Sequence, residues 1–180
     1  MPSVGAKRFY LRSLSPALRI LRLLLVSTNF MSLVFLFLLF LNSACQQGWI
    51  GNGTSCYKSF SSSKTWENAK EECEKWHAKL VKVESREEND FIKTEVMAAD
   101  KHDYYWIGLS DSDNEDDWKW TDGTELDLDG YKNWKESQPD NYADNEDCVV
   151  IGMTPSDPLY SGKWADIPCS SKRKYICENP

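Results

Sequence analysis

The run Gln138-Pro139-Asp140-Asn141-Tyr142-Ala143-Asp144-Asn145-Glu146-Asp147-Cys148 decides how this 180-residue chain is read. It closes the most acidic part of the molecule, since Asp111 to Asp147 holds 14 acidic residues and 3 basic ones, a net of −11. Residues 45–180 as a whole carry 16 Lys and Arg against 28 Asp and Glu, a net of −12, so nearly all the excess lies in that window. Charge this dense is either a solvated surface loop or a set of carboxylates whose repulsion a hard cation with oxygen ligands relieves. Calcium is the extracellular candidate. The same field disfavours a nucleic-acid partner. An EF-hand does not account for the acids. Asp111-x-Asp113-x-Glu115 starts like one, but Asp116 stands where the turn glycine belongs, and the twelfth position is Asp122 rather than Glu.

Outward from this run, the cysteines set the compartment. All six (Cys45, Cys56, Cys73, Cys148, Cys169, Cys177) follow residue 44, as does the one glycosylation sequon, Asn52-Gly53-Thr54. Both point to an oxidising, secretory environment and a glycoprotein carrying its glycan on Asn52. Six cysteines allow 15 pairings, among which arithmetic does not choose; an even count implies three closed bridges, no spare thiol and no disulfide-linked oligomer. The first 44 residues hold five basic side chains (Lys7, Arg8, Arg12, Arg19, Arg22) and no acidic one, with an apolar run from Leu23 to Leu41 that is densest from Leu33. This predicts a signal peptide over residues 1–44, cleaved after Ala44, and a secreted domain over 45–180. The alternative is an uncleaved signal anchor in a type II membrane protein, because a run of about 19 residues just spans a bilayer. The remaining 136 residues contain all eight tryptophans, enough for one domain with a core that the bridges supplement.

The local patterns predict an α+β fold, with two helices on an antiparallel sheet. Gly48, Gly51, Asn52 and Gly53 mark a hairpin between Cys45 and Cys56. Trp66, Ala69, Cys73, Trp76 and Leu80 recur at helical spacing, so a helix is expected from Thr65 to Leu80. A second starts at Ser85, where Glu88 completes a capping box and Phe91, Ile92 and Val96 share one side. Strands are expected over Tyr104–Leu109, Asp117–Thr121, Cys148–Met153, Gly162–Asp166 and Lys174–Glu178. The acidic region between the second and third of these is too long for an ordinary connection, which makes it a functional candidate.

Taken together, Trp106-Ile107-Gly108-Leu109, the cysteine order, Gln138-Pro139-Asp140, Glu146-Asp147-Cys148 and the ending Trp164-Ala165-Asp166-x-x-Cys169 resemble a C-type lectin-like domain in its long form, over essentially all of 45–180. The resemblance implies pairing of Cys45 with Cys56, Cys73 with Cys177 and Cys148 with Cys169. It also implies a principal calcium site at Gln138, Asp140, Glu146 and Asp166, with Pro139 cis and two adjacent sugar hydroxyls completing the shell. In such domains Gln-Pro-Asp accompanies galactose-type sugars, and Tyr142 falls where galactose binders set an aromatic ring against the sugar's apolar face. The glycine-rich stretch that often positions this ring is replaced by Ala143-Asp144-Asn145. Asp111, Glu115, Asn141 and Asp147 match an auxiliary calcium site that locks the long loop. One departure stands out: Ala165 occupies the position of an asparagine that binds both metal and sugar, and a methyl group does neither.

Catalysis has little support, because neither His77 nor His102 has a nucleophile or metal-ligand spacing around it. The resemblance therefore implies a secreted calcium-dependent lectin for galactose or N-acetylgalactosamine glycans, of the kind used in innate immune recognition. The competing reading is a domain that Ala165 has deprived of sugar binding and that engages a protein or surface ligand. Multivalent binding would need noncovalent oligomers.

Overall fold

In the computed structural model, residues 45–98, 103–152 and 161–180 are described. The predicted signal segment, His102 and the last residue of the expected Cys148–Met153 strand lie outside them. Strand β1 (Ile50–Asn52) turns through Gly53 and Thr54 into β2 (Ser55–Lys64), the hairpin that the glycines predict. β2 runs much further than its sequence indicates. Pairing with the last strand of the chain holds it over Cys56–Phe60 and again at Lys64, from Cys56↔Asn179 to Lys64↔Arg173, and Ser61-Ser62-Ser63 fall in the register shift between the two.

Helix α1 (Trp66–Glu74) is capped by Thr65, whose Oγ1 accepts the Asn68 N–H at 3.4 Å. It stops well before Leu80. The N–H groups of Trp76 and Ala78 both turn back to the Cys73 carbonyl, and His77 takes a left-handed φ of 54°. Lys79 and Leu80 then form β3, so Leu80 reaches the core by strand pairing with Cys177 and not along a helix face. Helix α2 (Arg86–Phe91) continues as a π-helical turn over Ile92–Val96. Its cap, Ser85 Oγ, accepts the Glu88 N–H at 3.1 Å. The Glu88 carboxylate reaches one residue past the usual box, to the Glu84 N–H at 2.8 Å, and accepts the Tyr57 hydroxyl at 2.8 Å. Burial, with Glu178 nearby, raises the Glu88 carboxyl above the ordinary range.

The remaining strands are β4 (Tyr104–Ser110), β5 (Lys119–Trp120), β6 (Cys148–Gly152), β7 (Trp164–Ile167) and β8 (Arg173–Asn179). The sheet runs β1-β2-β8-β4-β6-β7, with β3 also on β8 and β5 on β4. The expectation of an antiparallel sheet needs one correction: β4 and β8 are parallel, through Tyr105↔Lys174 and Trp106↔Tyr175. The chain between them is long enough to make the crossover a parallel pair requires. Alternation along β4 and β6 feeds two buried clusters. Ile107, Leu109, Val149 and Ile151 join Trp164 and Ile92 on one side; Trp106, Cys148 and Val150 join Trp66, Leu80 and Tyr175 on the other. Two buried indoles of the second cluster are satisfied, Trp66 Nε1 donating to the Ile107 carbonyl at 2.9 Å and Trp106 Nε1 to the Lys64 carbonyl at 2.8 Å, while Trp49 Nε1 is buried without a partner among the described residues.

The three disulfides are Cys45–Cys56, Cys73–Cys177 and Cys148–Cys169. The middle one closes a loop of 104 residues between α1 and β8, a constraint worth about 4–5 kcal/mol in the loop-entropy description. The glycine of Trp106-Ile107-Gly108-Leu109 has a steric reason. Its N–H donates to the Val81 carbonyl at 2.8 Å, and a Cβ there would lie 2.6 Å from the Leu80 carbonyl oxygen and 2.9 Å from Thr121 Oγ1. Gly108→Ala is accordingly expected to cost about 1–3 kcal/mol of stability, read as a lowered midpoint in thermal or denaturant unfolding. An unchanged midpoint would show that β3 and β4 are not in this contact.

Candidate functional site

Strand β7 places Asp166 opposite Val149 of β6, 1% exposed. Its carboxylate accepts the Asp140 N–H at 3.1 Å and the Asn141 N–H at 2.7 Å, and its own N–H donates to Gln138 Oε1 at 3.2 Å. These bonds fasten the Gln138–Glu146 loop to the sheet. The Gln138–Pro139 peptide is cis. Further along, Asn141 Oδ1 accepts the Glu146 N–H at 2.9 Å, and Glu146 Oε2 accepts the Tyr142 N–H at 3.1 Å across a 3₁₀ turn at Tyr142–Asp144. Ser137, Asn141, Ala143 and Asp144 all have positive φ, so the loop reaches its shape without glycine. At Ala143 this conformation costs about 1–2 kcal/mol.

The loop brings together what the sequence proposed. Asp140, Glu146 and Asp166 each offer a carboxylate oxygen, all within 4.8 Å of one another. Burial, then the charges of Asp166 and Asp140, push the Glu146 carboxyl up. The triad lines a cleft of about 280 Å³ together with Gln138, and Val150, Ala165 and Ile167 also line it. Tyr142, 75% exposed, belongs to the same cleft. Tyr104, Lys135 and Arg173 line it as well. Sequence reading missed these three, because no motif carries them and nothing in their local pattern distinguishes them from other strand and loop residues. The donor set suits calcium, being three carboxylates and one amide oxygen with no nitrogen or sulfur ligand. Gln138, Asp140, Glu146 and Asp166 would hold the ion, which would neutralise carboxylates that otherwise repel each other.

The residues matched to an auxiliary site are less tightly gathered. Asp111, at the end of β4, is 4% exposed, and its N–H donates to the Asp147 carbonyl at 3.1 Å. One carboxylate oxygen accepts the Asp116 N–H at 3.0 Å, while Oδ1 is buried with no hydrogen-bond partner. Such an orphan is what a cation would satisfy. Burial, with the charges of Glu115 and Asp147 adding to it, raises the Asp111 carboxyl to about 6. Asn141 meanwhile has its side-chain oxygen on Glu146, and no second acidic triad closes to within 4.8 Å among the described residues. Asp116 adopts φ 64°, the conformation a turn glycine would supply, yet strand β5 follows it where an EF-hand would need a helix. Asn52, the glycosylation acceptor, is exposed on β1, and His77 is exposed in the turn after α1.

Residues 62–179 match the family model of the lectin C-type domain. The versican core protein of Bos taurus is 39% identical over 132 residues, which are 73% of this chain and 4% of versican; the chain thus spans a small part of the curated relatives it matches. Among solved structures, the carbohydrate-recognition domain of the mouse scavenger receptor C-type lectin superposes with a TM-score of 0.66 at 36% identity, covering 76% of this chain and 98% of that one. Herring type II antifreeze protein gives a TM-score of 0.65 at 30% identity, over 76% and 98%.

The raised Asp111 carboxyl has a testable sign. Its folded value of about 6 exceeds the ordinary 3.8, so protonation stabilises the metal-free fold, fully at low pH and progressively less as pH rises through about 6. In chelator, Asp111→Asn should therefore gain stability relative to the parent as pH rises from about 4 to about 6.5, the difference levelling off above that, measured by thermal unfolding. A pH-independent difference between the two would contradict the buried, unpartnered carboxylate.

Proposed function

Because this chain belongs to the C-type lectin domain family, whose members bind ligands and are not enzymes, we propose that it is a secreted calcium-dependent lectin for galactose or N-acetylgalactosamine glycans. The observation carrying this reading is the convergence of Asp140, Glu146 and Asp166 beside Gln138 in an open cleft with Tyr142. Calcium bound there would supply the open coordination positions that two adjacent sugar hydroxyls take. The protein's own part is to fix the oxygens. Asp166 holds the loop by accepting main-chain N–H groups, and Asn141 fixes Glu146 through its N–H. Gln138 beside Asp140 favours galactose-type sugars by resemblance, and the exposed Tyr142 ring offers the sugar's apolar face a stacking surface. The three bridges, the sequon at Asn52 and the basic-then-apolar stretch before Cys45 support secretion as a glycoprotein. A role in innate immune recognition would fit such a lectin, with multivalency supplied by noncovalent oligomers.

Ala165 supports a second reading, in which the same loops engage a protein or surface ligand without calcium-dependent sugar binding. It lines the cleft with a methyl group where the family pattern has an amide. The likeness to an antifreeze protein is a reminder that this fold is not tied to sugars. Retention on immobilised galactose in calcium and release by chelator is the outcome expected of a lectin. Retention that survives chelation, or none at all, favours the second reading. Ala165→Asn should raise calcium affinity by about 1–3 kcal/mol, roughly 5- to 150-fold, in a calcium titration followed by tryptophan fluorescence. No change would mean that Asp166 and its neighbours do not form a calcium shell.

A further inference from the structure

The cleft extends past the triad across one face of the sheet. Ala165 directly precedes Asp166 on β7 and stands opposite Val150 of β6. Val150 in turn stands opposite Trp106 of β4, two residues from the pair Tyr104↔Gly152. Directly opposed residues of antiparallel strands share a face, so Ala165, Val150 and Tyr104 look to the same side. Gly152 gives the Tyr104 ring its place. A Cβ on residue 152 would lie 3.0 Å from Cε1 and 3.3 Å from Cδ1 of that ring, so the tyrosine leans from β4 over β6 into the space a side chain there would take. It remains 44% exposed. Ala165 and Val150, the latter 1% exposed, thus form a closed apolar floor in the cleft that holds the triad, and Tyr104 forms an aromatic wall at its far end. Two strand spacings, about 10 Å, separate β7 from β4.

Resting on the lectin reading, we propose that this shelf is a second sugar subsite, and that the preferred ligand is a terminal galactose-type sugar joined through its anomeric carbon to a second pyranose. The second ring lies on Ala165 and Val150 against the Tyr104 ring. The two adjacent hydroxyls given to the metal cannot carry the linkage, whereas the anomeric carbon is free to do so. A wall two strands from β7 lies beyond a single ring seated at the triad and within reach of the next one. A pyranose has an apolar C–H face and a rim of hydroxyls. The floor and the aromatic wall match the first, and the open side of the cleft leaves the second in water. Ala165 then has a role of its own: the same methyl group that gives the metal no ligand makes the floor apolar where the second ring enters. The three carboxylates anchor one sugar, and the shelf selects what that sugar is attached to.

The experiment is competition for galactose resin, in calcium, by methyl galactoside, lactose and melibiose, using the secreted protein. The two disaccharides carry the second ring in β and α linkage, and the better of them should compete about fivefold more strongly than methyl galactoside, the yield of one aromatic contact. Tyr104→Ala should bring that ratio towards one, and Tyr104→Phe should keep it, because the ring and not the hydroxyl makes the contact. Ala165→Asn should lower the ratio even where it tightens calcium binding, since it sets an amide on the floor. Equal competition by all three sugars, or a ratio that Tyr104→Ala leaves unmoved, overturns the subsite and leaves the lectin reading standing. No retention on galactose in calcium overturns the lectin reading and the subsite with it.

Discussion

Strand β4 can lie where it does only because nothing projects from Gly108. The Leu80 carbonyl occupies the space a Cβ would need, and the Val81 carbonyl takes the Gly108 N–H. That close approach brings β3, β4 and β8 into one layer, with β4 parallel to β8 and antiparallel to β6. Every part of the cleft then hangs from this strand. Its first residue is Tyr104, its end delivers Asp111 to the acidic turn, and its partner β6 in turn orders β7, which carries Ala165 and Asp166. The core is therefore a positioning device before it is a stability device.

Much of this could be read from the sequence because it is local or is encoded in long motifs. The capping residues Thr65 and Ser85 announce the two helix starts, and the glycines around Asn52 announce the first hairpin. The ligand-bearing residues sit in two short runs, so a resemblance fixed them together, and the three bridges came with it. What escaped is nonlocal. The helix over Thr65–Leu80 ends early because Leu80 finds a better partner in β8, and β2 runs on past Cys56 because β8 lies beside it. The parallel pairing has no sequence signature at all. Lys135 and Arg173 were invisible for the same reason, since the sheet sets them beside residues far along the chain.

The acidic run also looks different once folded. Its excess charge is not one pool. Asp140 and Glu146 face Asp166, which lies outside the run and is buried and committed to main-chain N–H groups, across a few ångströms, and Asp111 forms a separate centre at the end of β4. Other carboxylates in the window are occupied by ordinary pairing, as Asp117 with Lys119 and Asp122 with Lys82. At Glu146 and at Asp111 burial adds to the repulsion of neighbouring carboxylates. The distinction matters for how the chain spends its charge: most of the run keeps the surface hydrated, and a handful of residues are held against their electrostatic preference.

The ligand-bearing loop is anchored to the sheet mainly through backbone N–H groups that Asp166 accepts, a contact indifferent to which side chains the loop carries. Ala143 and Asp144 already sit in conformations their side chains resist, so the loop's shape does not come from its own preferences. For a lineage under selection, such an arrangement separates two kinds of change. Substitutions among residues 142–145 can alter what the cleft greets while the core's fitness stays intact, whereas the core can be refined for longevity without rewriting recognition. The site is evolvable because its scaffold holds it by the one part of the chain that mutation does not touch.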